Sequence, residues 1–222
     1  MRTATSCKMS ETAFSRTPIS ARLAGAALLA MLSLASGCAT RESLDLPDLG
    51  GWDSRRALLG QLDEWAFNGR IGVVAGDDGF SGSLRWTQTG DDFEATVSGP
   101  LGIGTVRLEG DGSRVQLTDK DGNRTVLDDA ERDLYQRYGW TIPVRSLRYW
   151  ALGIPDPALP AETALGSDGQ LERLVQGGWQ VEITRYGEGG GQPMPTRLKA
   201  ASEQTRVKLA IHNWSFFDQP GR

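Results

Sequence analysis

Trp65-Ala-Phe-Asn-Gly-Arg-Ile-Gly-Val73 places Trp65, Phe67, Ile71 and Val73 on one side of an extended chain and Asn68, Arg70 and Gly72 on the other. Successive side chains of a strand point to opposite faces, so this period of two marks a strand with one apolar and one wet face. Leu84 and Trp86 alternate in the same way with Ser83, Arg85 and Thr87, and Phe93, Ala95 and Val97 with Glu94, Thr96 and Ser98. The pattern returns in Val106 and Leu108, in Val115 and Leu117, in Trp179, Val181 and Ile183, and in Val207, Leu209 and Ile211. Asp77-Asp-Gly79, Gly90-Asp-Asp92, Asp111-Gly112, Asp121-Gly122, Asp168-Gly169 and Gly177-Gly178 supply turns between the runs. An antiparallel meander of ten or eleven strands is expected.

Three short helices accompany the strands. Asp53 or Ser54 caps the first, which carries Leu58, Leu59, Leu62 and Trp65 at 3/4 spacing. Asp128-x-x-Glu131 has the form of a capping box and opens a second, stopped by Gly139. Ile142-Pro143 opens a third with Val144, Leu147, Trp150 and Ala151, ended by Gly153 and Pro155. A sheet that wide curls, and three helices of about three turns cannot fill its concave side at normal core density. The expected architecture is therefore mainly β with short α-helices: an open, unclosed antiparallel half-barrel with helices covering an apolar cavity. Phe67, Ile71, Trp86, Val97, Val106, Leu117, Trp150 and Val181 are expected to line that cavity.

The N-terminal region reads as an export signal. Arg16 and Arg22 precede the apolar run Leu23 to Leu34, and Ala35-Ser-Gly-Cys38 follows. A charged segment, a short apolar segment and small residues before a break are the parts of a secretory signal, and the run is too short to span a bilayer. Ala35-Ser-Gly-Cys38 resembles a bacterial lipobox, in which the Cys takes a diacylglyceryl group, becomes the N-terminus and is N-acylated. The expected organisation is a signal peptide over 1–37, a lipidated N-terminus and tether over 38–51, and one domain over 52–222. Losing the first 37 residues removes four basic groups and one acidic group, leaving 20 basic against 27 acidic residues, net −7.

Composition narrows the function classes. The whole chain has 24 Lys and Arg against 28 Asp and Glu and lacks a long basic run, which argues against a nucleic-acid partner. Its two Cys cannot build a disulfide framework or a four-ligand zinc site. A single His argues against chemistries that need two imidazoles. Neither an enzyme nor a metal or cofactor site is expected. His212 falls on the polar face of its strand and reads as solvated, Asp128 and Asp129 read as helix caps, and Gly102-x-Gly104 reads as a turn. Gly187 to Pro195, with Gly-Gly-Gly and two prolines, reads as a mobile loop.

The order of lipobox, tether, helix, six strands, Gly139-Trp-Thr-Ile-Pro143, Leu147-Arg-Tyr-Trp150, Leu152-Gly-Ile-Pro155, Gln176-Gly-Gly-Trp179 and a last strand ending Asn213-Trp214 resembles the LolB family of outer-membrane lipoprotein receptors. The resemblance implies an open β-barrel with helices over its mouth and an apolar cavity for acyl chains. It implies a periplasmic carrier partner, LolA, acylated lipoproteins as cargo and release into outer-membrane lipid, by a monomer. Residue Ala39 after the Cys implies sorting to the periplasmic face of the outer membrane. The task has a physical basis: three chains of about fifteen methylenes, at ~0.8 kcal/mol each, would cost on the order of 30–40 kcal/mol to draw through water.

One turn differs from the rest. Gly99-Pro-Leu-Gly-Ile-Gly104 puts Leu101 and Ile103 in a connection where the other turns carry acids. Leu101 either folds back onto the sheet or forms an apolar tip that meets a bilayer. Pro100, Leu101 and Gly102 match the family's protruding loop, and the resemblance implies the second role, membrane insertion.

Overall fold

A computed structural model describes residues 41–99, 104–111, 114–139 and 141–218. Cys38 and the loop residues Pro100, Leu101 and Gly102 lie outside the described residues, as does the signal segment 1–37. Helix α1 (Trp52–Leu59) leads into β1 (Glu64–Ala75), β2 (Asp78–Thr89), β3 (Asp92–Ser98), β4 (Val106–Gly110), β5 (Val115–Thr118) and β6 (Arg124–Leu127). Helices α2 (Ala130–Tyr138) and α3 (Val144–Leu152) follow. Then come β7 (Ala161–Leu165), β8 (Leu171–Gln176), β9 (Trp179–Gly189), β10 (Gln192–Ala201) and β11 (Thr205–Phe216).

All eleven strands form one antiparallel sheet in the order β6-β5-β4-β3-β2-β1-β11-β10-β9-β8-β7. Among the described residues the edges β6 and β7 do not pair, so the sheet is open, a mainly β half-barrel with three short helices. β1 and β11, from the two ends of the chain, are its middle. One face is buried: Trp65, Phe67, Ile71 and Val73 of β1 are each at most 3% exposed, while Asn68, Arg70 and Val74 between them are exposed. Leu147, Trp150 and Leu152 of α3 join the same core. Asn68 pairs with Asn213 and Gly69 with Ile211, so His212 is an extra residue that bulges β11 against β1, and a Cβ at Gly69 would collide with the Ala210 carbonyl oxygen. A bulge there bends the central strand and helps the sheet curl.

Several local details depart from the expected ones. Gly51, not Asp53 or Ser54, stands at the N-cap of α1, and no side chain caps it. Leu62 is buried but follows the helix, and Trp65 belongs to β1. Asp129 rather than Asp128 caps α2, accepting from the Arg132 N–H at 3.1 Å, while Asp133 accepts from the Asp128 and Asp129 N–H groups. The reciprocal cap is made by Asp129 and Asp133 instead of Asp128 and Glu131, because neighbouring acids offer the same chemistry. Gly139 and Gly153 end α2 and α3 in the left-handed conformation, as expected.

The largest correction concerns 187–195. These residues are not a loop: they end β9, turn at Gly190-Gly191 and begin β10, with a register shift between Pro195 and Arg197. Met194 is fully buried, and Gly189 and Gly190 pass so close to the Trp214 and Phe216 rings that a Cβ would stand 2.8 and 2.6 Å from them. The glycines clear space for large rings rather than conferring mobility. The stretch read as tether also docks. Leu44 and Leu46 donate backbone N–H bonds to the Phe216 and Gly190 carbonyls, both at 2.7 Å, and Leu46 and Leu49 are buried.

Candidate functional site

Aromatic residues crowd one end of the half-barrel. Register places Trp65 beside Phe216, and Phe67 beside both Trp86 and Trp214. The rings stack across four strands: Phe93 on Trp86 at 4.9 Å between centroids, Trp86 on Phe67 at 6.2 Å, and Trp214 on Phe216 at 5.7 Å. Trp86 donates its indole N–H to the Gln88 side chain at 3.1 Å, and Gln88 in turn donates to the Gly90 and Asp92 carbonyls. Flat stacked rings with their polar edges satisfied leave no void, so this end is filled.

Apart from Phe80, the opposite strand ends are built from smaller, aliphatic side chains. Phe80, Val97, Val106, Leu108, Leu117 and Ile142 surround an apolar concavity of about 410 Å³, with Gly99 and Gly104 at its rim and the Asp119–Asp121 turn beside it. Their arrangement follows from register. Val97 pairs with Val106 across β3 and β4, and Leu108 with Leu117 across β4 and β5, so their inward side chains form one wall. Val97 and Val106 are only half-buried, whereas Leu108 and Leu117 are buried. The rim glycines flank the loop that holds Pro100, Leu101 and Gly102. An apolar hollow with few polar groups binds by shape and desolvation, which suits a hydrocarbon chain and offers no anchor for a polar substrate.

The eight residues expected around the cavity divide into two sets. Val97, Val106 and Leu117 line the hollow. Phe67, Ile71, Trp86, Trp150 and Val181 lie deeper on the same inward face, each at most 3% exposed, in the packed core. Phe80, Leu108 and Ile142 complete the wall. Phe80 continues the inward positions 82, 84 and 86 of β2, a signal hidden by reading Asp77-Asp-Gly79 as the turn. The turn is in fact Gly76-Asp77, since Ala75 pairs with Asp78.

Polar groups hold the helices to the sheet. Arg55 of α1 is buried, donates to the Pro193 carbonyl at 2.5 Å and lies 5.7 Å from the Tyr186 ring centre. Burial holds its pKa below the ordinary guanidinium value, partly offset by Tyr186 and Asp168. The same burial pushes the Tyr186 phenol well above its ordinary value. At the other side, Gln176 of β8 accepts from the Trp150 indole N–H of α3 at 2.9 Å, and Ser146 donates to Asp156 at 2.9 Å. Among the described residues no cluster of three His, Cys, Asp or Glu is placed to hold a metal ion, and no helix is long and apolar enough to cross a membrane. His212 is exposed on β11.

Known proteins resemble this chain over most of its length. The family model described as "Outer membrane lipoprotein LolB" matches residues 63–214, from the start of β1 to Trp214. The outer-membrane lipoprotein LolB of Pseudomonas paraeruginosa is 36% identical over 190 residues, covering 85% of this chain and 93% of that protein. That of Nitrosococcus oceani is 37% identical over 164 residues, covering 73% and 82%. Among solved structures, a LolA superfamily protein from Nitrosomonas europaea aligns with a TM-score of 0.46 at 10% identity, over 72% of this chain and 88% of that one. With the match spanning ten of the eleven strands in full and most of the last, and relatives aligned over nearly their whole length, this chain belongs to the LolB family of outer-membrane lipoproteins.

Proposed function

We propose that this protein receives acylated lipoproteins from the periplasmic carrier LolA, shelters their chains in the half-barrel and inserts them into the outer membrane. The observation that carries the reading is the 410 Å³ apolar hollow at the open end of a sheet whose other end is filled by stacked rings. Ligand pockets run from about 300 to 1,000 Å³, so this one admits part of a cargo with several chains. Full uptake requires α2 and α3 to move off the concave face, making Phe67, Ile71, Trp86, Trp150 and Val181 the deep wall. No nucleotide is needed if each transfer runs downhill in free energy, from carrier to receptor to bilayer.

Cys38 is the anchor in this reading, carrying diacylglyceryl and N-acyl groups, since a single chain anchors only marginally. Mass spectrometry of the N-terminal peptide should show a Cys38 bearing lipid; an unmodified Cys38, or a chain starting elsewhere, removes the anchor.

The test of function separates uptake from release. The mature chain with Cys38→Ala should still accept an acylated lipoprotein from the carrier. Burying one Leu in a bilayer is worth roughly 1.5–3 kcal/mol, enough to tip the open end toward lipid but too little to hold the domain there. Leu101→Glu should therefore accept cargo and fail to insert it into liposomes. Normal insertion by that variant, or loss of uptake along with the fold, defeats the assignment of Pro100, Leu101 and Gly102 as the inserting loop.

A scaffold role has one observation behind it: β7 is a sheet edge with every residue exposed, including Leu165 at 41%, and Leu159 and Val175 beside it are 42% and 47% exposed. Binding of a fatty-acid probe without any partner protein favours the receptor over the scaffold.

A further inference from the structure

The outer face of the sheet carries a charge pattern that the apolar hollow does not use. Arg85 on β2, Arg70 on β1, Arg206 and Lys208 on β11, and Arg197 and Lys199 on β10 are all exposed there. Strand pairing gathers them. Arg70 and Arg197 both oppose Ala210, Lys199 directly opposes Lys208, and Arg85 opposes Asn68 one row away from Arg70. At about 4.8 Å between strands and about 3.3 Å per residue, the six occupy a patch of about 20 by 15 Å. Between the rows of Asn68 and Val74, no acid faces outward on these four strands. Glu182 on β9 reaches Lys199 at 3.7 Å, and among the described residues the other five have no ion pair. Like charges set directly opposite each other destabilise a sheet. A mature chain of net −7 has acids to spare, so one-signed crowding on its central strands is not needed for solubility.

We infer that this basic patch rests on anionic phospholipid headgroups, laying the half-barrel on its back against the membrane that anchors it. The choice of lipid over an acidic protein comes from the anchor, and in that clause the inference rests on the lipidated Cys38 proposed above. Ser43 accepts a hydrogen bond from the Phe216 N–H at 3.1 Å, and Leu44 donates to the Phe216 carbonyl, so the anchoring segment joins the domain at the end of β11. Five residue steps separate Cys38 from Ser43, a reach of about 18 Å at most. The bilayer is thereby held close to the strand that carries Arg206 and Lys208. Lying on the outer face keeps Ser43 within that reach. Standing on the Gly99–Gly104 end would lift Ser43 by at least the five residues from Trp65 to Arg70, whose row Ser98 shares, about 17 Å and so nearly the whole of that reach.

The test uses the mature chain with Cys38→Ala, so that no acyl group contributes, and follows its partition onto vesicles by flotation. Vesicles containing phosphatidylglycerol should take up the protein at low salt and lose it as salt rises, while pure phosphatidylcholine vesicles should not take it up. Replacing Arg70, Arg206 and Lys208 by Gln should lower the partition on the order of a hundredfold. Replacing Arg114, Arg124 and Arg137, which are exposed elsewhere, changes net charge equally and should have little effect. Circular dichroism melts establish that both triple variants are folded. Equal uptake by both vesicle types, no uptake by either, or equal losses in the two variants overturns the inference; absence of uptake would leave the patch to an acidic protein. Neither cargo nor carrier enters the measurement, so a failure of the receptor reading leaves this result standing, and the converse.

Discussion

Leu117→Glu should abolish uptake of an acyl chain, lowering the affinity for a fluorescent fatty acid by a hundredfold or more. Leu117 is 3% exposed, sits on β5 opposite Leu108 and faces the hollow. A carboxyl group in that wall either stays ionised against hydrocarbon or takes a proton. Burying an uncompensated polar group costs roughly 2–7 kcal/mol, and each 1.4 kcal/mol is about tenfold in binding. The same substitution weakens the fold, so Val97→Asp serves beside it. Val97 is half-buried at the end of β3, where a charge can turn to water when no ligand is present and must be desolvated when one binds. Its urea midpoint should stay near that of the unaltered protein while probe affinity falls. If both variants are folded and bind the probe as before, the hollow is not the acyl site.

The reading of the sheet from sequence rests on one condition, that a strand has one buried face. β1 and β3 meet it and alternate, as do residues 179–184 of β9 and 205–211 of β11; the period slips at His212-Asn213, both exposed, where β11 carries its extra residue. β7 does not: Ala161, Glu162, Thr163, Ala164 and Leu165 are all exposed, so no period marks it. In β8 the buried Leu171 and Leu174 are three apart, beside a register shift between Ala164 and Leu165 that breaks the period of two. β10 begins with Pro193 and Pro195, which read as breakers although their strand bulges around them. The docking of residues 44–46 is equally silent, since backbone hydrogen bonds to Phe216 and Gly190 leave no pattern in side chains.

The site was legible to a different depth. Alternation tells which side chains point inward, and the seven expected lining residues on strands do; Trp150 is buried from helix α3. It does not tell whether an inward side chain meets another side chain or a void, because that depends on what arrives from strands and helices distant in sequence. Trp86 meets Phe67 and Phe93 in a stack, while Val97 and Val106 pack on the edge of the core with one side open to the hollow. Residue volume carried part of the missing signal: Trp65, Phe67, Trp86, Phe93, Trp214 and Phe216 cluster at one end, while at the other Phe80 is accompanied by the β-branched Val97 and Val106.

Gln176→Leu should produce the largest loss of stability, about 4 kcal/mol or more, out of a total that for most domains is about 5–15 kcal/mol. Gln176 is 2% exposed at the end of β8. Its oxygen accepts from the Trp150 indole N–H and the Asp156 N–H, both at 2.9 Å. Its nitrogen donates to the Asp156 and Leu159 carbonyls at 2.9 and 3.0 Å. Leucine nearly matches its volume, so little cavity forms, but four buried polar groups lose their partner at about 1–3 kcal/mol each. All four bonds tie α3 or the chain after it to the sheet, so the loss is directional: amide hydrogen exchange over Val144–Leu152 should quicken more than over β1 or β11. Gln88→Leu is the comparison, because Gln88 satisfies Trp86 and its own hairpin without touching α3. It should destabilise without loosening the helix selectively. An unchanged urea midpoint for Gln176→Leu, or equal exchange changes in the two variants, would show that α3 is held by apolar packing of Val144, Leu147 and Leu152 alone, and the helix would then have no polar latch to release when a large cargo enters.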